Sequence, residues 1–292
     1  MIQHIKHTIY IRFKLIYFCL ILVYFCSACS HLFYYPYRPQ VYSPSQLPIQ
    51  FQDHFVKTPS GHSIHYWYFP AENSKGLILF FHGNGENMST HFLLMSWLPK
   101  ENYSYVVFDY PGYGFSSGEP TQESTVESGV TMIKEVTSKW PSEKFFVYGQ
   151  SLGGIVAMRS VQEWGGEPQA LIVESSFSSY QRMARRVLSR HWLTWIFQPL
   201  AWVLVSDQKA VEDTGHFSPI PLLFIHGDAD RVVEPVNSQE MFAQSIDPKE
   251  LWIVPGGGHS DTYFKNDLTY RQKLINYLDQ YRDRPLKGFK RE

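Results

Sequence analysis

Residues 145–154 read FFVYGQSLGG, an apolar run that stops on a serine fenced by glycines two positions away on either side. Gly149-Gln150-Ser151-Leu152-Gly153 has the G-x-S-x-G form. In that form a serine can occupy a strained strand-to-helix turn with its hydroxyl pushed out above a sheet. Side chains at the two glycine positions would clash with the turn and with the neighbouring strand and helix. A five-residue pattern is weak alone, so its reading depends on what surrounds it.

Outward from this stretch the chain repeats one theme. GLILFFHG (76–83), YSYVVFD (103–109), ALIVES (170–175), PLLFIHG (221–227) and LWIVPGG (251–257) are short continuous apolar runs like KFFVYG (144–149). Such runs suit strands buried on both faces. Ahead of them, FQDHFVKT (51–58) and HSIHYWYFP (62–70) flank a Pro-Ser-Gly turn at 59–61, a hairpin pattern. Between the runs lie helix-like stretches at 121–140, 151–164 and 268–281, the first with Val126, Val130, Ile133, Val136 and Trp140 at helical spacing. Buried strands alternating with amphipathic helices predict an α/β fold: a mostly parallel sheet, of the eight-stranded type, with helices on both faces.

In such sheets ligands bind at the carboxyl ends of the strands. HGN (82–84), DYPGYG (109–114), Ser151, HGDAD (226–230) and GGGHSD (256–261) each follow directly after an apolar run. All five are therefore predicted to emerge on one edge of the sheet. A serine hydroxyl is a weak nucleophile until a base takes its proton, and that base needs a carboxylate to hold its tautomer. The residues after the strands provide Ser151, then the acids Asp228 and Asp230, then His259 with Asp261 beside it.

The stretches FFHGNGEN, FDYPGYGFSSG, YGQSLGG, FIHGDADRVV and GGGHSD together resemble the α/β hydrolases, over about residues 50–282. The order Ser, acid, His is theirs. The nearest branch is similar to serine aminopeptidase-like and monoglyceride lipase-like enzymes and acyl-protein thioesterase relatives. The resemblance implies an α/β-hydrolase fold with Ser151 as nucleophile, His259 as general base and Asp230 as the acid, at the family's H-G-x-x-D position. Asp228 is then expected to cap its turn, and Asp261 has poor geometry for the far imidazole nitrogen. An oxyanion hole needs two aimed N–H groups; Leu152, following the nucleophile, and Asn84, in the loop after FFHG, are the candidates. His82 is expected to orient that loop and Asp109 to bond loop amides.

Other chemistries are disfavoured. His82, His226 and His259 show no metal-ligand spacing, no glycine stretch has the Walker or G-x-G-x-x-G form, and no cofactor is implied. A net charge of -1 with 18% charged residues makes no field for nucleic acid. The implied reaction is hydrolysis of carboxylic esters or thioesters of small or acylated substrates. A serine peptidase, with Glu174 as one candidate for gripping an amino end, and a thioesterase acting on lipidated protein are the enzymatic alternatives. A non-catalytic binding protein would not need all three side chains.

The ends of the chain have their own character. Lys6, Arg12 and Lys14 precede twelve apolar residues at 15–26, short for a membrane span, which needs about 20 residues. All three cysteines, Cys19, Cys26 and Cys29, fall at or near this run. CSACSHLFYYP resembles the end of a bacterial lipoprotein signal, which implies lipidation at Cys29, although Cys26 departs from the usual aliphatic. The expected plan is a signal peptide or membrane anchor at 1–29, an extended linker at 30–50 and a hydrolase domain at 51–285, exported and held at the membrane. Within it, residues 176–220 form the longest insertion, with Trp192, Trp195, Ile196 and Trp202 near helical spacing and Pro199 interrupting. That insertion is expected either to pack on the core or to form a small helical lid.

Overall fold

A computed structural model describes residues 33–264 and 268–286. The apolar run at 15–26, Cys29 and the basic tail after 286 lie outside the described residues. The described chain divides into two compact units, one of residues 34–179 and 208–286 and the other of residue 33 with 180–207.

The larger unit is built on one sheet of eight strands: β1 (Gln52–Lys57), β2 (Ser63–Phe69), β3 (Leu77–Phe81), β4 (Ser104–Phe108), β5 (Phe145–Gln150), β6 (Leu171–Glu174), β7 (Leu222–Gly227) and β8 (Lys249–Val254). Their spatial order is β1-β2-β4-β3-β5-β6-β7-β8. β1 pairs with β2 and β2 with β4 antiparallel, and every later pair is parallel. Five of the six continuous apolar runs became the strands β3 to β7, in which every residue is buried. The sixth, at 251–257, became the edge strand β8, which is only part-buried because one side of it has no neighbouring strand, and the other edge strand, β1, alternates. This is the burial that a central parallel strand covered on both faces requires.

Among the described residues the larger unit carries four longer α-helices and one short α-helical turn. α1 is the four-residue turn Met88–His91; α2 spans Gln122–Lys139 and α3 Leu152–Trp164. α2 starts on a capping box in which Thr121 Oγ1 accepts the Ser124 N–H at 3.0 Å. Its buried stripe is Val126, Gly129, Met132, Ile133 and Val136; Val130 and Trp140 are only half-buried. α2 and α3 pack together on one face, against β3 and β5.

On the other face, Phe80, Val107, Tyr148, Ile172 and Ile225 pack with Leu98, Tyr263 and the last helix of the described chain. That helix is α8 (Thr269–Tyr281), and α7 (Val236–Gln244) lies beside β7 and β8; α4 to α6 fall earlier in the chain, in the smaller unit.

The smaller unit holds α4 (Tyr180–Ser189), α5 (Trp192–Trp195) and α6 (Gln198–Leu204). Pro199 sits in the first turn of α6, where its missing N–H costs no intrahelical bond. The unit closes on itself: Asp207 Oδ1 accepts the Tyr180 N–H at 2.7 Å, and Gln181 donates to the Val205 carbonyl at 2.9 Å. Trp192, Trp195, Ile196 and Trp202 are exposed, so they are not core residues. Among the described residues no helix is long and apolar enough to cross a membrane.

Candidate active site

The site grows from the turn between β5 and α3. Ser151 has φ 52° and ψ -120°, a conformation outside the regions that L-residues favour. Strain of this kind costs on the order of 1–3 kcal/mol and persists only where the surroundings over-determine it. Here they do. The Ser151 N–H donates to the Glu174 carbonyl at 2.8 Å, and its own carbonyl accepts from Ser176 Oγ at 2.7 Å and Gly154 N–H at 3.0 Å.

The flanking glycines are required by close approach. A Cβ on Gly149 would stand 2.5 Å from the Gly153 carbonyl oxygen, and one on Gly153 would stand 2.1 Å from that of Phe81. The turn can therefore press against β3 only with hydrogen at both positions.

From the next two strand ends come a carboxylate and an imidazole. The loop after β7 and the loop after β8 are joined by three bonds: Asp228 N–H to the Val254 carbonyl at 3.1 Å, Ala229 N–H to the Gly257 carbonyl at 2.9 Å, and Gly256 N–H to Asp228 Oδ1 at 2.7 Å. Asp228 thus caps a backbone amide, as its place in the turn suggested, but the amide belongs to the neighbouring loop. The glycine run before His259 is held by these contacts. Asp261 accepts the Gly258 N–H at 2.9 Å, inside the same loop.

His259 Nδ1 lies 2.8 Å from Asp230 Oδ2, and His259 Nε2 lies 2.9 Å from Ser151 Oγ. An ionised carboxylate only accepts, so Nδ1 carries the proton and Nε2 is left to accept from the serine hydroxyl. The Asp230 side chain is fully buried and that of His259 is 23% exposed. Asp230 Oδ1 accepts the N–H groups of Val232 and Val233 at 2.8 and 3.0 Å. Burial pushes the Asp230 carboxyl up, but hydrogen bonds from His226 and His259, the His259 charge and the Val232 amide outweigh it. The group is held well below the usual carboxylate range.

His226 is a partner that the sequence reading did not assign. Its Nε2 faces two acceptors, the Val233 carbonyl at 2.8 Å and Asp230 Oδ2 at 3.3 Å, so that nitrogen bears the proton. Its Nδ1 then accepts from the Ser238 hydroxyl at 2.6 Å. The signal was visible as the His of HGDAD, four residues before Asp230.

The loop between β3 and α1 passes beside Ser151. Neither the Asn84 N–H nor the Leu152 N–H meets a backbone acceptor among the described residues. Leu152 is the first residue of α3, where N–H groups have no intrahelical partner and the helix dipole favours negative charge. Asp109 bonds a loop amide, though not those beneath Tyr110 and Gly112: its Oδ1 accepts the Met88 N–H at 2.7 Å. His82 Nδ1 lies 2.7 Å from the Gly83 carbonyl, within the loop it was expected to orient.

Glu174 does not present its carboxylate for a substrate amine. It is fully buried, and its Oε2 accepts from Tyr148 at 2.8 Å and Gln150 at 3.2 Å. Among the described residues no group of three His, Cys, Asp or Glu side chains could hold a metal ion.

This arrangement of strand ends has counterparts among known proteins. The profile of the Hydrolase_4 family, described as serine aminopeptidase, S33, matches residues 72–213. The protein YfhR of Escherichia coli O157:H7 is 29% identical over 91% of this chain and 95% of its own length. The lysophosphatidylserine lipase ABHD12 of Danio rerio is 28% identical over 72% of this chain and 57% of its own. In fold, the Pyrococcus furiosus esterase Pf2001 superposes with a TM-score of 0.66 over 84% of this chain and 96% of that one, at 20% identity. The chain belongs to the α/β-hydrolase superfamily. It is an enzyme of the hydrolase class within that superfamily.

Proposed function

We propose that the chain is a serine hydrolase that cleaves carboxylic esters or thioesters of acyl substrates through an acyl-enzyme. The observation that carries this reading is the continuous line from Ser151 Oγ through His259 to Asp230, at 2.9 and 2.8 Å. Ser151 Oγ attacks the acyl carbonyl while His259 Nε2 takes its proton. Asp230 keeps the imidazole in the tautomer that can accept and stabilises the imidazolium that follows. The negative oxygen is held by the N–H groups of Asn84 and Leu152. His259 then protonates the leaving alcohol or thiol, and the same steps with water release the acid and restore the serine.

The lipase named among the relatives supports an amphiphilic acyl substrate. A peptidase needs a grip on the substrate's amino end, and the buried Glu174 offers none. Consistent with the apolar run at 15–26, Cys29 serves as a lipid-modified anchor of an exported chain; intact-mass measurement that found Cys29 unmodified in an uncleaved chain would reject that part. The catalytic reading is tested with a chromogenic ester series from acetyl to palmitoyl, wild type beside Ser151→Ala. Turnover that disappears in the variant supports it, and turnover that survives overturns it.

A further inference from the structure

The residues before the hairpin, 34–41, form no regular element, yet they are bonded along their length to the loop that carries Asn84. The Tyr35 N–H donates to Asn84 Oδ1 at 2.8 Å. Asn87 Nδ2 donates to the carbonyls of Tyr37 and Pro39 at 2.8 and 2.9 Å. The Val41 N–H donates to Ser89 Oγ at 2.8 Å. From the other side the Gly114 N–H donates to the Tyr37 carbonyl at 3.0 Å, and Tyr113 Oη donates to Asn84 Oδ1 at 2.7 Å. Tyr34, itself buried, anchors the start of the arm with its hydroxyl 3.4 Å from Thr125 Oγ1 on α2.

The loop under this arm needs holding. Gly85 and Glu86 follow one another at φ 77° and 53°, a double left-handed turn that is strained for Glu86. The Asn84 side chain is clamped between the arm and Tyr113, and this sets the orientation of the Asn84 peptide. Stabilisation of a developing oxyanion depends on donors that are aimed in advance, so a loosened peptide lowers turnover more than binding.

We propose that residues 34–41 are a positioning element of the active site, fixing the oxyanion-stabilising loop 83–89 through Asn84, Asn87 and Ser89. The proposal rests on the serine hydrolase reading above. It makes the stretch ahead of the sheet part of the catalytic apparatus. Cutting the arm's bonds slows acyl transfer while the Ser151–His259–Asp230 line stays intact.

Two substitutions in the full chain test it. Asn87→Asp keeps the Oδ1 that accepts the Ser89 N–H at the start of α1 but removes both donors to the arm. Tyr35→Pro removes the N–H received by Asn84 and leaves the loop sequence unchanged. The readouts are kcat and KM for a short-chain ester, each normalised to sites titrated with a fluorophosphonate, and the rate of that labelling. The phosphonyl adduct places an oxygen in the same hole, so labelling reports on the loop for any substrate preference. Both variants are expected to lower kcat per titrated site and the labelling rate about tenfold, with KM within about twofold.

A purely structural arm would lower the number of titratable sites or the melting temperature and leave kcat per site unchanged; that result overturns the proposal. Wild-type labelling at Ser151 without ester turnover would count against the substrate class alone, and the arm would then be judged on labelling rates. Absence of labelling at Ser151 would remove both readings.

Discussion

The β5–α3 turn and the 180–207 unit stand at opposite extremes of packing. At the turn each backbone group of Ser151 is bonded, Phe81, Val147 and Leu152 around it are buried, and a single added methyl at Gly153 has no room. In the 180–207 unit Trp192 is 77% exposed, Ile196 66% and Trp195 60%, and its short helices are joined by bonds within the unit. The first region stores strain because a buried sheet surrounds it; the second has large apolar side chains that face water. Chemistry that depends on angles of a few degrees belongs in the first kind of environment.

Substitutions can break or sharpen this contrast. The largest expected effect is from Ser151→Ala, which removes the proposed nucleophile and should lower kcat by roughly a million-fold, toward the level set by binding and the proposed oxyanion hole alone. Stopped-assay ester hydrolysis checks it, with circular dichroism expected to be unchanged.

Asp230→Asn keeps the shape but reverses the demand on His259 Nδ1, and a loss of about ten thousand-fold in kcat is expected. Asp228→Asn, which leaves the imidazole's partner in place, should cost far less. A larger loss at 228 than at 230 would mean the acid has been misassigned.

Gly153→Ala probes packing rather than chemistry. A Cβ held 2.1 Å from a β3 carbonyl oxygen forces the turn apart, with an expected loss of about 1–3 kcal/mol by urea denaturation. The opposite region should tolerate change: Trp192→Ala is expected to alter stability by less than about 0.5 kcal/mol in the same measurement, as at other exposed positions. Equal losses at 153 and 192 would erase the contrast drawn above.

A last prediction concerns pH. Burial, with the His82 charge second, pushes His91 down to about 3, against the Gly85 carbonyl and the Gln150 side chain, which act upward. Its folded value is below the unfolded value of about 6.5, so the unfolded chain binds the extra proton between those limits. Stability should therefore fall as pH drops below about 6.5, with a slope approaching about 1.4 kcal/mol per pH unit from this group. Asp230, also held low in the fold, acts in the same direction at lower pH: its contribution is complete above the ordinary carboxylate value and is lost as pH falls below about 4. Denaturation midpoints at pH 4.5 and 7 for His91→Gln, beside wild type, should show a flattened acid decline.

Much of the fold was legible. Every apolar run quoted from 76 onward is a strand; those of β3 to β7 are buried throughout because both faces of the sheet are covered there, whereas the run at 251–257 is the half-buried edge strand β8. The loops after those strands hold Ser151, Asp230 and His259 because a parallel sheet sends its carboxyl ends to one edge. The partners of Asp109 and Asp228 were read only in part: a carboxylate in a turn caps an amide, but which amide depends on the loop that folds beside it. His226 was passed over because its value lies in a bond to Asp230 and not in any spacing of its own kind.

What the sequence by itself determined is the order of buried strands and helices and the residue types at the strand ends, since apolar periodicity and glycine placement are local properties. What only the tertiary structure decided is which of these groups meet. The arm at 34–41 reads in the sequence as part of an extended linker, and its bonds to Asn84, Asn87 and Ser89 span 48 to 50 residues of chain. The tryptophans of 180–207 have the spacing of a packed stripe and are nevertheless exposed. Hydrogen bonds and burial of this kind are made between distant segments, so no local pattern in the chain encodes them.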